Sequence, residues 1–255
     1  MPNDAYPAGC AVVFGGSGGV GRAICARLAR AGCDVALTYR ENVAAADEVV
    51  AEVRAHRRRA EAHAVSADDA SAIQSLLDGA ADRFGGVHTV VHAAGSDIPM
   101  RFVSEVSREA WRDVMTADAA GFFDLVHASI PHLRKSRGSI VAITSAGLSR
   151  FPARDILSVA PKAAIEALVR AVAKEEGRFG VRANSVALGV IEAGIFTRLS
   201  KGELGSDWTD AAKRNTPLRR FGTADEVADA VEFLASSRAS YVTGQTLMLD
   251  GGYSI

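Results

Sequence analysis

The sequence predicts a doubly wound α/β fold: one seven-stranded parallel sheet with helices on both faces. Three observations predict it. Short apolar runs alternate along the chain with segments whose apolar residues recur at three and four positions. Most of those runs are apolar throughout, as strands covered on both faces must be. A glycine-rich turn, Gly15-Gly16-Ser17-Gly18-Gly19-Val20-Gly21, lies directly between the first run and the first helical segment. With 255 residues the chain is near the upper size for one α/β core, so residues 1–255 read as a single domain.

The elements follow in order. Cys10–Phe14 is the first strand and Val20–Ala31 the first helix. Asp34–Tyr39 is a strand, and Val43–Arg58 a helix. Glu61–Val65 and Ala70–Phe84 repeat the pair. Val87–Ala93 is a strand with few charges, and Arg108–Leu133 reads as one long helix. Ser139–Thr144, Ala153–Arg178 and Val181–Leu188 read as strand, helix and strand. Thr223–Ser236 is a helix with Thr223 as N-cap and Glu226 at the capping-box spacing. Gln245–Leu249 is the last strand. Right-handed crossovers between parallel strands give the doubly wound order. The segment 189–221 breaks the rhythm. It is long, mixed in character and placed beyond the carboxyl end of a strand, where ligands bind, so it reads as a substrate lid.

Composition sets outer limits. The formal net charge is −1, which leaves no electrostatic footprint for nucleic acid or an anionic membrane. The dense basic run Arg57–Arg59 reads as a solvated helix end. Cys10, Cys25 and Cys33 fit neither a disulfide framework nor a metal site, so core packing and a reducing, cytoplasmic compartment are expected. No metal is expected. The first nine residues do not read as a signal peptide, and no apolar stretch approaches membrane-spanning length.

The glycine turn carries the first functional signal. Glycines at a strand–helix junction let the backbone approach a pyrophosphate, while the helix N-terminus offers unpaired N–H groups. Gly15, Ser17, Gly18, Gly19, Val20 and Gly21 are therefore candidate cofactor contacts. The second strand ends in Thr38-Tyr39-Arg40. An NAD site places a carboxylate at that tip, where it would repel a 2′-phosphate. Arg40 can grip such a phosphate and Tyr39 can flank an adenine, so NADP(H) is the expected cofactor. Glu41 is the competing feature, because its inward rotation would favour NAD.

Taken together, these motifs resemble the short-chain dehydrogenase/reductase family over essentially the whole chain. Gly15-x-x-x-Gly19-x-Gly21 has the family spacing, and His92-Ala93-Ala94-Gly95 stands where the family has N-N-A-G. Trp111 through Gly121 matches the long central helix. Ser145 ends the strand that carries the catalytic serine, and Lys162 opens the run Lys-Ala-Ala-Ile-Glu-Ala-Leu. Arg182-Ala183-Asn184-Ser185-Val186, Gly244-Gln245 and Asp250-Gly251-Gly252 complete the match. The resemblance implies a Rossmann-type fold and an oxidoreductase. It adds Ser66, Ala67, Ala93, Ala94, Gly95, Lys162, Gly189 and Ile191 to the cofactor set. It also implies a homotetramer or homodimer, with Tyr253 within reach of a neighbour. Asn215-Thr216-Pro217 through Gly244-Gln245-Thr246 is especially similar to the acyl-carrier-protein reductases.

The departures bear on proton chemistry. The family's reductases place a tyrosine four residues before the lysine, and here that position is Ser158. An enoyl-reductase branch places it seven before, and here that is Asp155. None of the four tyrosines, Tyr6, Tyr39, Tyr241 and Tyr253, lies near Lys162 in sequence. The family's helix asparagine aligns with Asp118, which is placed to pair with Lys162. Ala193 replaces a nicotinamide-contacting threonine, Ser66 an aspartate and Phe14 a threonine. Asp155, Ser158 and Lys162 are spaced three and four apart, along one helical face. A carboxyl in a dry cleft can be held protonated, so Asp155 is a candidate acid beside Ser145, Lys162 and Asp118. His92 reads as a hydrogen-bonded core histidine.

The expected activity is an atypical NADPH-dependent reduction of a carbonyl or enoyl thioester, small or acyl-carrier-bound. Two other readings stay open. One is a non-redox lyase, dehydratase or isomerase on the same scaffold, and the other a catalytically silent NADP(H)-binding subunit.

Overall fold

The computed structural model describes residues 5–194, 196–197 and 205–255. The strands are β1 (Cys10–Phe14), β2 (Asp34–Tyr39), β3 (Ala60–Ala64), β4 (Val87–His92), β5 (Ser139–Ser145), β6 (Arg182–Leu188) and β7 (Thr246–Leu249). They form one sheet in the order β3-β2-β1-β4-β5-β6-β7, and every pairing is parallel. All residues of β1 and β4 are buried, the apolar β1 throughout and β4 with His88, Thr89 and His92 among its buried residues. Strand order reverses between these two strands, which opens a crevice at their carboxyl ends.

The helices are α1 (Gly19–Arg30), α2 (Val43–Ala55), α3 (Ala70–Phe84), α4 (Arg108–Val114), α5 (Gly121–Ser136), α6 (Ile156–Glu176), α7 (Ser206–Asn215) and α8 (Ala224–Ala235). Leu77 of α3, Phe122 and Leu125 of α5 and Ile165 of α6 pack in one core against one sheet face. Ile24 and Leu28 of α1, Val49 of α2 and Val231 of α8 pack in a second core against the other face. Local chemistry sets the helix starts. Asn42 accepts from Ala45 N–H at 3.0 Å and Asp69 from Ala72 N–H at 2.9 Å. Thr223 and Glu226 close the capping box on α8. Arg182 ties down the far end of α8 by donating to the carbonyls of Leu234, Ala235 and Ser236.

Several element ends shift by one to three residues, and three changes alter how particular residues are read. The long helix divides: α4 and α5 are separated by a π-helical turn at Met115–Ala120. At the start of α5, Gly121 lies against the Ala67 carbonyl so closely that a Cβ there would overlap it. Helix α2 stops at Ala55 because Arg57 turns into the left-handed region at φ 59. The basic run thus lies just past the helix; Arg57 and Arg59 are exposed, and the Arg58 and Arg59 guanidinium groups also reach Asp34, at 3.6 and 2.8 Å. Helix α6 begins at Ile156, not Ala153, so Asp155 occupies the N-cap instead of the helical face.

All three cysteines are buried, and burial pushes their thiols up, Cys10 to about 12. Among the described residues no helix is long and apolar enough to cross a membrane.

The glycine turn is built by close backbone approach. A Cβ on Gly21 would overlap the Gly15 carbonyl, and one on Gly15 would lie 2.7 Å from Ala94 N. Gly21→Ala is therefore expected to cost about 1–3 kcal/mol by forcing the turn apart. Urea unfolding at pH 7 measures it, and the change should also weaken dinucleotide binding.

Candidate active site at the carboxyl edge of the sheet

The expected cofactor residues converge on the carboxyl ends of the strands. Gly15, with φ 81, opens the turn after β1, and its N–H donates to Thr38 Oγ1 of β2 at 2.8 Å. Across the crevice, Ala93 N–H donates to the Phe14 carbonyl at 2.8 Å, which holds Ala93, Ala94 and Gly95 beside the turn. Ser17, Gly18 and Gly19 lead into α1, whose first-turn N–H groups have no helical acceptor. Gly18 and Gly19 are exposed and Val20 is half-buried, so that polar edge faces outward. A Cβ on Gly19 would lie 2.8 Å from Gly194 N, which puts the root of the 189–221 segment directly over the turn.

The adenine end is open. Tyr39 is half-buried at the tip of β2, and Arg40 is exposed and paired with its neighbour Glu41 at 3.3 Å. Ser66, just past β3, donates to Asp68, and Ala67 packs on Gly121. Gly189 is held by its N–H to the Leu249 carbonyl at 3.0 Å. Ile191 is buried in a bridge to Gly222. A glycine cradle, unpaired N–H groups, an aromatic ring and a guanidinium in this order fit a phosphorylated dinucleotide. Of the 189–221 segment, residues 195 and 198–204 lie outside the described residues. The rest shows α7 and ring contacts of Phe196 with Trp208 and Phe221.

The chemical centre lies between β4, the π turn and α6. Lys162 Nζ is 2.7 Å from Asp118 Oδ2, and both side chains are almost wholly buried. Asp118 Oδ1 accepts from Ser96 N–H at 3.0 Å and from Ser96 Oγ at 2.7 Å. Burial raises the Asp118 pKa, but the Lys162 charge and the bonds from Lys162 and Ser96 outweigh it and hold the carboxyl ionised. The π turn sets this geometry, because its extra backbone residue re-aims Asp118 into the helix pair.

Ser145 ends β5, half-buried, and its Oγ accepts from Gly147 N–H at 3.0 Å. One acceptor position is used, so the hydroxyl proton stays available to a substrate oxygen. Asp155 sits at the N-cap of α6, where its side chain caps no backbone N–H. Arg101 N–H donates to the adjacent Arg154 carbonyl at 3.0 Å and ties this corner to the segment after β4. Burial pushes the Asp155 carboxyl up to about 6, only partly offset by Lys162. Ser158 is half-buried on α6.

His92 is wholly buried, with Phe14 and Phe122 rings at 6.0 and 5.0 Å. Burial and the Lys162 charge keep it unprotonated. The expected hydrogen bond is not found at Nδ1, which has no partner among the described residues. Tyr253 packs under Arg150 of its own chain, with 4.9 Å from guanidinium carbon to ring centroid. Two supporting residues were not read from the sequence. Thr38 and Ser96 have no motif spacing, and only their places beside a glycine turn and after Ala93-Ala94-Gly95 mark them.

Residues 15–254 match the family described as Enoyl-(Acyl carrier protein) reductase. The chain is similar to a 3-oxoacyl-acyl-carrier-protein reductase of Staphylococcus epidermidis, 32% identical over 248 residues, 95% of this chain and 97% of that one. It is 28% identical over 249 residues to glucose 1-dehydrogenase 2 of Bacillus subtilis, 96% of this chain and 94% of that one. The fold matches a short-chain type dehydrogenase/reductase from Mycobacterium ulcerans with a TM-score of 0.91 and 26% identity, covering 98% and 91% of the two chains.

Two outcomes follow from this geometry. Asp118→Ala strands a buried lysine charge and is expected to cost about 3–5 kcal/mol of stability, with Asp118→Asn milder. Denaturant unfolding of the two variants checks the order. The Asp155 pKa is raised in the folded state, so its favourable contribution is complete below pH 4 and is lost as pH rises through about 6. Asp155→Asn should therefore gain stability over the native chain between pH 4 and 7, by at most about 3 kcal/mol. A pH series of unfolding curves reads it.

Proposed function

Because the chain belongs to the short-chain dehydrogenase/reductase family, we propose that it is an NADP(H)-dependent reductase of a carbonyl or enoyl thioester. The family's chemistry is nicotinamide-dependent oxidoreduction. The observation that carries the finer reading is the composition of the carboxyl edge. A glycine cradle and an exposed Arg40 stand at one end, and Ser145, Asp155 and the Lys162–Asp118 pair at the other. When bound, the nicotinamide supplies a hydride to the substrate carbon.

The protein's own residues have three tasks. Gly15, Gly18, Gly19 and the first turn of α1 would hold the pyrophosphate, with Tyr39 and Arg40 on the adenosine end. Lys162, fixed by Asp118, would hold ribose hydroxyls. Ser145 would donate to the substrate oxygen as negative charge develops there. Reduction also requires one proton per hydride. With Ser158 four residues before Lys162, Asp155 is the group best suited to deliver it, since its carboxyl titrates at about 6.

Ser158, which leaves no phenol four residues before Lys162, favours a second reading: a non-redox enzyme or a silent cofactor-binding subunit, forming product, if any, without net NADPH consumption.

Stopped-flow loss of NADPH absorbance with a panel of ketones and enoyl thioesters tests the proposal. Turnover with at least one class is expected, and tight cofactor binding without turnover of any class would overturn it. The single-turnover rate should fall as pH rises through 6. Asp155→Asn should flatten that profile and lower the rate by about 10²-fold or more. Arg40→Gln should weaken NADPH about tenfold and leave NADH affinity nearly unchanged, as calorimetry can read.

A further inference from the structure

A cavity of about 410 Å³ lies at the opposite edge of the sheet from the crevice, where β4, β5 and β6 begin. Its polar side chains are Tyr6, His88, Arg137, Arg182, Ser237 and Ser240, and no carboxylate lines it. Pockets that seat small organic ligands span roughly 300–1,000 Å³. Backbone contacts hold this corner in one shape. Arg182 N–H donates to the Gly138 carbonyl at 3.0 Å, which brings Arg182 beside Arg137. A Cβ on Gly138 would overlap the His88 carbonyl. Ser237 N–H donates to the Ala5 carbonyl at 2.9 Å and fastens the Tyr6 segment to the end of α8. The Tyr6 hydroxyl donates to Glu232 at 3.2 Å, and its ring lies 5.3 Å from the His88 ring.

The charges here are unbalanced. Arg182 is half-buried and donates only to neutral groups, the carbonyls of Leu234, Ala235 and Ser236. Arg137 is exposed, and among the described residues it has no ion pair, side-chain hydrogen bond or ring contact. Glu232, the acid beside Tyr6, is already paired with Arg238. Burial holds the His88 ring neutral, with its pKa lowered to about 4, so the two guanidinium groups carry the charge. Arg137 also ends α5 in the left-handed region, at φ 53, where glycine is the unstrained residue. Its stem is packed on Gly180, where a Cβ would stand 3.1 Å from Arg137 Cγ. A strained arginine with no protein partner, at the mouth of a preformed cavity, is placed for a ligand.

We propose that this cavity binds a small organic phosphate monoester, with its phosphate gripped by Arg137 beside Arg182 and its organic body against Tyr6 and Pro7. A monoester dianion matches two guanidinium charges that no acid offsets. The hydroxyls of Ser237 and Ser240 supply further donors. The cavity has far more room than a lone phosphate ion fills. The site stands apart from the reductase reading, since neither Ser145 nor Lys162 takes part in it.

Calorimetry with AMP and with ribose 5-phosphate tests the site, on protein saturated with NADPH so that the dinucleotide crevice is filled. At least one ester should bind at least tenfold tighter than inorganic phosphate and than its own unphosphorylated form, adenosine or ribose. The tighter of the two shows whether the body is a nucleoside or a sugar. Arg137→Gln should weaken that ester at least tenfold and leave NADPH affinity unchanged. Arg137→Gly, better suited to the left-handed turn, should weaken it equally while Tm holds or rises. That second variant separates a lost ligand contact from a damaged fold. No uptake of either ester at saturating NADPH, or uptake indifferent to both Arg137 variants, would overturn the proposal. Affinity no better than that of inorganic phosphate would refute the organic body, and affinity no better than that of the unphosphorylated form would refute the phosphate.

Discussion

Lys162 and Asp118 are two opposite charges taken out of water at 2.7 Å. A buried pair of this kind is tolerated only when the remaining polar atoms are satisfied. Ser96 supplies that condition with two bonds to the second carboxylate oxygen. Three separate pieces of chain must therefore meet at one point: the segment after β4, the π turn and α6. Loss of the carboxylate would release the loop, the turn and the lysine together.

The pair also sets the division of labour in the site. A lysine bound so closely to a carboxylate keeps its position. Asp155 lies in the opposite condition, half-sheltered, capping nothing and titrating near 6. Two aspartates on neighbouring elements are thus shifted in opposite directions through environment alone. Gly147 adds to this by donating to Ser145 Oγ, which aligns the hydroxyl without consuming its proton.

Much of this was legible in the residues. An unbroken apolar run marked β1, a run with few charges marked β4, and the glycine turn marked the crevice between them. Thr223 and Glu226 foretold their capping box. The spacing of Asp118 and Lys162 within a matched pattern anticipated their pairing. The departures have physical causes that no local pattern carries. A π turn depends on one surplus backbone residue and leaves the apolar period almost intact, so Arg108–Leu133 read as continuous. Arg154, with φ 70, ends the extended chain at a point where helical periodicity had already begun, and so moved Asp155 off the helical face. Ser96 acts through a backbone N–H and a hydroxyl, and a lone serine in a loop has no signature.

A Cβ on Gly19 would meet Gly194 N at 2.8 Å and Ala193 Cβ at 3.4 Å, so only a bare backbone leaves room there. The floor of the dinucleotide crevice and the root of the segment that overhangs it are therefore a single mechanical joint. A pyrophosphate on the first turn of α1 would lie beside that root, so bulk added at position 19 would be felt on both sides of the crevice at once.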